Sequence, residues 1–367
     1  RVRGAGRPVR DRSVNQPGRR PTTADVAVVG TGIIGAAIGH HLTAGGAGVT
    51  FVDQAAGIAT GATHAAGGMV RAYDPDPAVG KLASAGLRAY ADPVLRPTGR
   101  SPLTTVGALT ITPPESAPDV RNTVRRIGGT SDLPVHILED GAESMGVRLA
   151  GGVAVAEPEA GYVRPPRVAE EWILHACRST ASLRLGTRAL GVGRLRRGIT
   201  LRTSAGTITA GAVVVATGGW TPEWAGEHPP LRTRSIQVAA VRRPEGVGPH
   251  ATFVDLRTGV YAKPLDGGLS LLGMPHLVWD VPPSPVSAPD TGHTRNTLQA
   301  LTPHLPWPAE AEVIDEIRSF DGYAAGDELV RGSPDGRLWA VRAWNGTGVK
   351  VAPEVGRIVS ESVLAHL

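Results

Sequence analysis

Three glycines and one aspartate carry the spacing of an anion cradle. In VAVVGTGIIGAAIGHHLTAGGAGVTFVD, from Val26 to Asp53, Gly30, Gly32 and Gly35 read GxGxxG between an apolar strand-like run and a helix-like segment. Gly30 permits a tight turn, Gly32 lets the backbone approach a pyrophosphate, and Gly35 lets helix and strand pack closely. Ile33 and Ile34 complete the turn, and a diphosphate would sit at the positive helix N-terminus. The next strand, Val49 to Val52, ends in Asp53 and Gln54, where a carboxylate can accept hydrogen bonds from an adenosine ribose.

A second chemistry is carried by isolated cations. Lysine occurs only at Lys81, Lys263 and Lys350 among 38 basic residues. An ammonium is a compact charge with a tunable pKa, which is one reason to avoid arginine at such positions. Lys81 reads as a surface helix residue, Lys350 as either an active-site residue or the solvated start of the last helix, and Lys263 fits either a site or a strand end facing water. Arg71 lies near the end of Ala56 to Tyr73, AGIATGATHAAGGMVRAY, whose small residues predict backbone lying against something flat. A guanidinium buried there requires an anionic partner.

The elements that must position these groups are partly legible. The expected helices fall near Leu82–Tyr90, Val168–Ser179 and Arg295–Leu301, with a last helix from Glu354 after the glycine turn Asn345–Gly348. Strands are expected at Leu109–Thr112, Leu183–Leu185, Ile199–Arg202, Thr207–Thr209 and from Ala212, and a largely antiparallel second sheet at Ser235–Val241, Gly259–Pro264 and Leu269–Gly273. At 367 residues and 41% hydrophobic content the chain suits two joined domains. Residues 1 to 20 hold seven Arg and one Asp, so the remainder carries a net charge of −1 against the formal +5 of the whole. The high pI is therefore a tail property, the tail is expected to be disordered, and no nucleic-acid partner is expected of the body. One cysteine, Cys177, excludes an intrachain disulfide and multi-cysteine metal sites, so no metal is expected. No apolar run reaches the length of a membrane span, and a cytoplasmic location is the expectation.

Four segments together resemble the FAD-dependent amine and amino-acid oxidoreductases that include D-amino acid oxidase, glycine oxidase and monomeric sarcosine oxidase. The first is the glycine fingerprint, with Asp53 where this family more often has Glu. The second, Gly61 to Tyr73, is similar to the flavin-adjacent loop: its AAGGM part looks like glycine oxidases, and the spacing of Arg71 and Tyr73 looks like sarcosine oxidases, where the equivalent Arg holds the substrate carboxylate. The third, VVVATGGWTP at Val213 to Pro222, resembles the VVxAxGxW signature beside FAD. The fourth, from Asn345 to Glu361, resembles the GxGFK stretch that passes the isoalloxazine ring, its Lys matched by Lys350.

The resemblance implies an α/β fold: a Rossmann-like FAD-binding domain of the glutathione-reductase type, with an interleaved, largely antiparallel substrate domain. The implied boundaries are 22–85, 150–232 and 315–367 for the first, and 86–149 and 233–314 for the second, after a basic tail at 1–21. FAD contacts are implied for Gly30, Gly32, Ile33, Ile34, Gly35, Asp53, Gln54, Thr60, Thr63, His64, Gly67, Gly68 and Met69. Further contacts are implied for Ala216, Thr217, Gly218, Trp220, Gly346, Thr347, Gly348, Val349 and Lys350. Arg71, Lys350, Lys263, Tyr73 and Ser270 are the implied catalytic set, in which Ser270 of GLSLLG stands where sarcosine oxidases carry an oxygen-activating lysine. Those enzymes attach FAD through a cysteine in their C-terminal half, where this chain has none, so non-covalent FAD is expected. The implied reaction is oxidation of a small amine or amino acid to an imine, with oxygen or another acceptor reoxidising the flavin. An amine that binds deprotonated needs no dedicated base. An NAD(P)-dependent dehydrogenase would use the same fingerprint but leaves Gly61–Tyr73 and Asn345–Lys350 unexplained; an RNA-modification flavoprotein would suit the tail but not the near-neutral body.

Overall fold

The computed structural model describes residues 22–90, 99–220, 222–226, 231–284, 286–325 and 329–367; the expected basic tail at 1–21 lies outside them. The strand Thr22–Val29 runs parallel to Val49–Val52 on one side and Gly206–Val215 on the other. Ser182–Arg184 and Leu338–Val341 extend the same parallel core. Val26, Ala27 and Val28 are fully buried, as a parallel strand covered on both faces requires. One cover is helical: α1 (Ile33–Ala44) packs against the later helices α5 (Pro165–Arg178) and α7 (Gly348–Leu364). The other is an antiparallel meander, Ala189–Arg194 and Ile199–Thr203, which leads into Gly206–Val215. The separate strands expected at Thr207–Thr209 and from Ala212 are therefore one, Gly206–Val215, which pairs in parallel with Thr22–Val29 over most of its length and with the meander over its first half.

Between these elements lie α2 (Ala62–Ala65), α3 (Pro77–Ala89), α4 (Ala117–Ser131) and α6 (Thr291–Ala300). α7 begins six residues before the expected start at Glu354 and carries Pro353 inside it. Proline cannot donate to the carbonyl of Val349, and the Tyr90 hydroxyl donates to that carbonyl instead, at 2.7 Å. A tertiary contact thus replaces the missing helical bond and brings Lys350 into the first turn of the helix.

The second sheet has eight strands in the order Glu312–Ala324, Leu231–Arg242, Leu269–Gly273, Tyr261–Pro264, Thr252–Asp255, Ala108–Thr112, Val153–Glu157 and His136–Leu138. Only the Ala108–Thr112 and Thr252–Asp255 pair is parallel. One face buries Leu109, Phe253, Ala262 and Leu272 against α6 residues such as Leu298. The opposite face carries Tyr261 and Lys263, because side chains alternate along a strand. Two strands fall outside the expected boundaries: Val153–Glu157 lies beyond 150 and Glu312–Ala324 begins before 315, yet both belong to this sheet. The long strand escaped the sequence reading because its first residues, Glu312 to Asp315, are exposed and pair two acids with two apolar residues, so no buried face shows in the pattern.

Candidate active site

The glycine turn opens a cavity of about 1380 Å³ between the two sheets, larger than the roughly 300–1,000 Å³ of a single small-ligand pocket. Gly30 has φ 108°, and a Cβ there would lie 2.4 Å from the Ala216 carbonyl oxygen; on Gly35 it would lie 2.1 Å from the Gly30 oxygen. Both positions therefore exclude any side chain. Thr63 Oγ1 accepts from the Ile33 N–H at 3.1 Å, tying α2 to the start of α1. Asp53 is held by Thr31 N–H and Oγ1 at 2.8 and 2.6 Å and by Ala55 N–H at 2.9 Å, and it lines the cavity. Its orientation is set before any ribose arrives.

Fifteen of the expected cofactor positions line this cavity: Gly30, Gly32, Ile33, Ile34, Asp53, Gln54, Thr60, Thr63, Ala216, Thr217, Gly218, Trp220, Gly346, Gly348 and Val349. Gly35, His64, Gly67, Gly68, Met69, Thr347 and Lys350 are not part of the lining, and His64 is exposed. The cavity also takes residues that no motif signalled. Gly186, Thr187 and Arg188 arrive because Ser182–Arg184 pairs beside Val49–Val52, and the Thr187 N–H reaches the Asp53 carbonyl at 2.7 Å. Two polar atoms of the lining, Thr217 Oγ1 and Trp344 Nε1, are buried without a hydrogen-bond partner, which a bound polar cofactor would relieve.

Behind the second loop the chain gathers four charges. Lys350 Nζ donates to Asp74 Oδ2 at 2.5 Å, both side chains being nearly sealed from solvent. Glu157, at the end of its apolar strand, accepts from the Ala72 and Tyr73 N–H groups at 2.6 and 3.1 Å and so fixes the backbone next to Arg71. Arg71 Nε is buried without a hydrogen-bond partner. Burial lowers the Arg71 pKa, opposed by Asp74, Glu157 and Tyr73. It pushes Lys350 down to about 8, with Arg71 lowering it further and Asp74 opposing. Sequence reasoning missed Asp74 and Glu157; the available signal was an acid closing the apolar run VAVAE.

The face of the second sheet opposite α6 covers both flavin-type loops. A Cβ on Gly67 would lie 4.0 Å from Tyr261 Cε2, and one on Gly346 would lie 3.6 Å from Asp321 Oδ2 and from the Tyr323 hydroxyl. Lys263 is buried, with Nζ 4.9 Å from the Tyr162 ring centre, and Tyr162 pairs with Met69. Burial, with Arg164 adding to it, lowers Lys263 to about 8. Ser270 is not part of this face. It pairs with Pro264, one residue out of phase with Lys263, so its hydroxyl points to the α6 side, 2.9 Å from His250 Nε2 and 3.1 Å from Arg243 Nη1. Strand alternation thus removes Ser270 from the implied catalytic set.

A parallel sheet with a glycine-cradled cavity, faced by an antiparallel sheet, is the architecture of a nucleotide-dependent oxidoreductase. The model of the FAD-dependent oxidoreductase family matches residues 25–362, and the chain belongs to that family. It is 31% identical over 209 residues to a monomeric sarcosine oxidase of Streptomyces avermitilis, a match over 55% of this chain and 53% of that protein. The chain therefore matches about half the length of this curated relative. Among solved structures, a glycine oxidase from Geobacillus kaustophilus superposes with a TM-score of 0.79 at 24% identity, covering 94% of this chain and 96% of the other. An L-amino acid deaminase from Proteus vulgaris gives 0.80 at 17% identity, covering 96% of each. At these identities the likeness is one of fold. The cavity fits the family's cofactor, FAD, through the glycine cradle, Asp53 and the two unpartnered polar atoms.

Proposed function

We propose that this flavoprotein oxidises the C–N bond of a small amine or amino acid to an imine, with oxygen or another acceptor taking the electrons afterwards. The observation that carries this reading is the single sheet face that covers both Gly67 and Gly346 and presents Tyr261 and Lys263 there. On this reading the substrate of a bound flavin would lie against that face. When bound, FAD supplies the two-electron acceptor. The chain supplies position: Asp53 holds the ribose, the start of α1 the diphosphate, and Arg71 the substrate carboxylate, with Glu157 anchoring the backbone beside it. Lys350 assists from its pair with Asp74. The half-length similarity to a sarcosine oxidase supports an amine donor.

The test is the absorbance of purified protein followed by anaerobic titration with glycine, sarcosine, D-alanine, L-proline and simple amines. Bound flavin that is bleached by one of these is the expected result. Recovery of NAD without flavin, or flavin that none of them reduces, would overturn the reading.

A further inference from the structure

One carboxylate of the cavity lining is neither among the groups assigned above to the cofactor nor in the ion pairs behind the second loop. Asp321 lies near the end of the edge strand Glu312–Ala324 and lines the cavity beside Gly346. Its side chain makes no hydrogen bond or ion pair among the described residues. That is unexpected, because its cross-strand neighbour is Arg234, and opposite charges facing each other across a ladder ordinarily attract. Arg234 is held elsewhere: its Nη2 donates to the Tyr323 hydroxyl, and its guanidinium lies 4.3 Å from the Tyr323 ring centre and 5.5 Å from that of Trp279. Asp53, the other acid of the cavity, is already committed to Thr31 and Ala55.

Taking a carboxylate out of water without a partner is costly. A fold that keeps one open toward a cavity leaves it for a cation that arrives from outside. We propose that Asp321 receives the amino group of the substrate and takes its proton, a role that rests on the amine-oxidising reading above. In that step an N–H bond of the ammonium breaks and an O–H bond forms on Asp321. The electron pair stays on nitrogen, and an ammonium and a carboxylate become a neutral amine and a neutral acid. The lone pair needed for oxidation is thereby freed at the site itself.

The groups facing Asp321 suit this exchange. Arg234 faces it from the neighbouring strand, Tyr261 from the middle of the sheet and Tyr323 from its own strand, while Arg342 lines the same cavity. The glycine turn Asn345–Gly348 opposite carries no ionisable side chain. Burial raises Asp321 to about 7, with Arg234 opposing, so a proton can be accepted and returned near neutral pH.

The experiment compares holoenzyme and Asp321→Asn by anaerobic stopped-flow reduction across about pH 5.5 to 10, which brackets the ionisation near 7. The probe is whichever amine of the titration bleaches the wild-type flavin. In the wild type the rate should rise with pH through an ionisation near 7. In Asp321→Asn the rate at neutral pH should fall about 100-fold, the lower end of the range for a positioned base, and should recover as pH approaches the amine's own pKa. A structural lesion would not be rescued in that way. FAD content and far-ultraviolet circular dichroism report whether the variant folds. Wild-type flavin reduced by an amine, together with an unchanged rate and pH profile in Asp321→Asn, overturns this assignment alone. Flavin that no amine reduces overturns the amine reading and this role with it.

Discussion

At the residue scale, the chain separates groups that hold a cofactor from groups that tune charge. Asp53→Ala should weaken FAD binding by about 1.5–3 kcal/mol, as loss of hydrogen bonds to a charged group does, and the FAD dissociation constant reports it. Arg71→Ala and Lys350→Ala should each keep FAD but slow flavin reduction by about 2–5 kcal/mol, with the double variant losing less than the sum. Normal reduction in both single variants would exclude the carboxylate clamp. Asp321 makes a separate prediction about stability. Its pKa is raised from 3.8 to about 7 in the folded chain, so between those values the folded state binds the proton more tightly than the unfolded one. Folding stability from this group is therefore present at low pH and falls as pH rises through 7. Asp321→Asn should raise the thermal midpoint at pH 8 (about one unit above that ionisation) and leave it nearly unchanged near the unfolded value of 3.8. Equal midpoint shifts at both pH values would show that the carboxylate is not held in a desolvated place.

At the scale of elements, the site depends on how α3 and α7 meet. A Cβ on Gly86 of α3 would lie 2.1 Å from the Lys350 carbonyl oxygen, so the helices touch backbone to backbone beside the functional lysine. Tyr90 closes α3 and supplies the hydrogen bond that Pro353 cannot make. Tyr90→Phe should leave the Val349 carbonyl unsatisfied and cost about 1–3 kcal/mol, read as a lower urea midpoint with unchanged slope. A variant as stable as the wild type would mean that the carbonyl finds another partner. The two strands outside the expected boundaries have equally local causes: Val153–Glu157 ends in an acid that serves the neighbouring loop, and Glu312–Ala324 starts as an exposed edge.

At the scale of the whole molecule, charge and function reside in different places. The seven arginines of residues 1–20 account for the basic pI, and the remainder is close to neutral. Deleting residues 1–20 should abolish binding to heparin or nucleic acid and leave the flavin spectrum unchanged, because a polyanion is attracted by clustered charge. Retained affinity would reveal a basic surface on the folded body. Among the described residues no helix is long and apolar enough to cross a membrane. Cys177, on the helical side of the first sheet and partly buried, belongs to α5 and not to the cavity lining. Denaturation in acid should therefore release intact FAD, and flavin retained on the precipitated chain would overturn the non-covalent assignment.

The sequence by itself determined the nucleotide half of this protein, because that chemistry is local. Gly30, Gly32, Gly35 and Asp53 act through the turn, helix and strand they belong to, and short-range sterics leave few alternatives to glycine at φ 108°. The loop Gly61–Tyr73 and the turn Asn345–Gly348 were legible for the same reason: small residues in sequence mean close backbone approach in space. What faces the substrate was decided by tertiary structure. Whether Lys263 or Ser270 points inward depends on sheet phase, which their own strands do not disclose. Asp74 meets Lys350 across 276 positions of chain, and Asp321 makes no ion pair with its neighbour Arg234, whose guanidinium lies against Tyr323 and Trp279. Such pairings depend on strand order and long-range packing, so no window of sequence contains them.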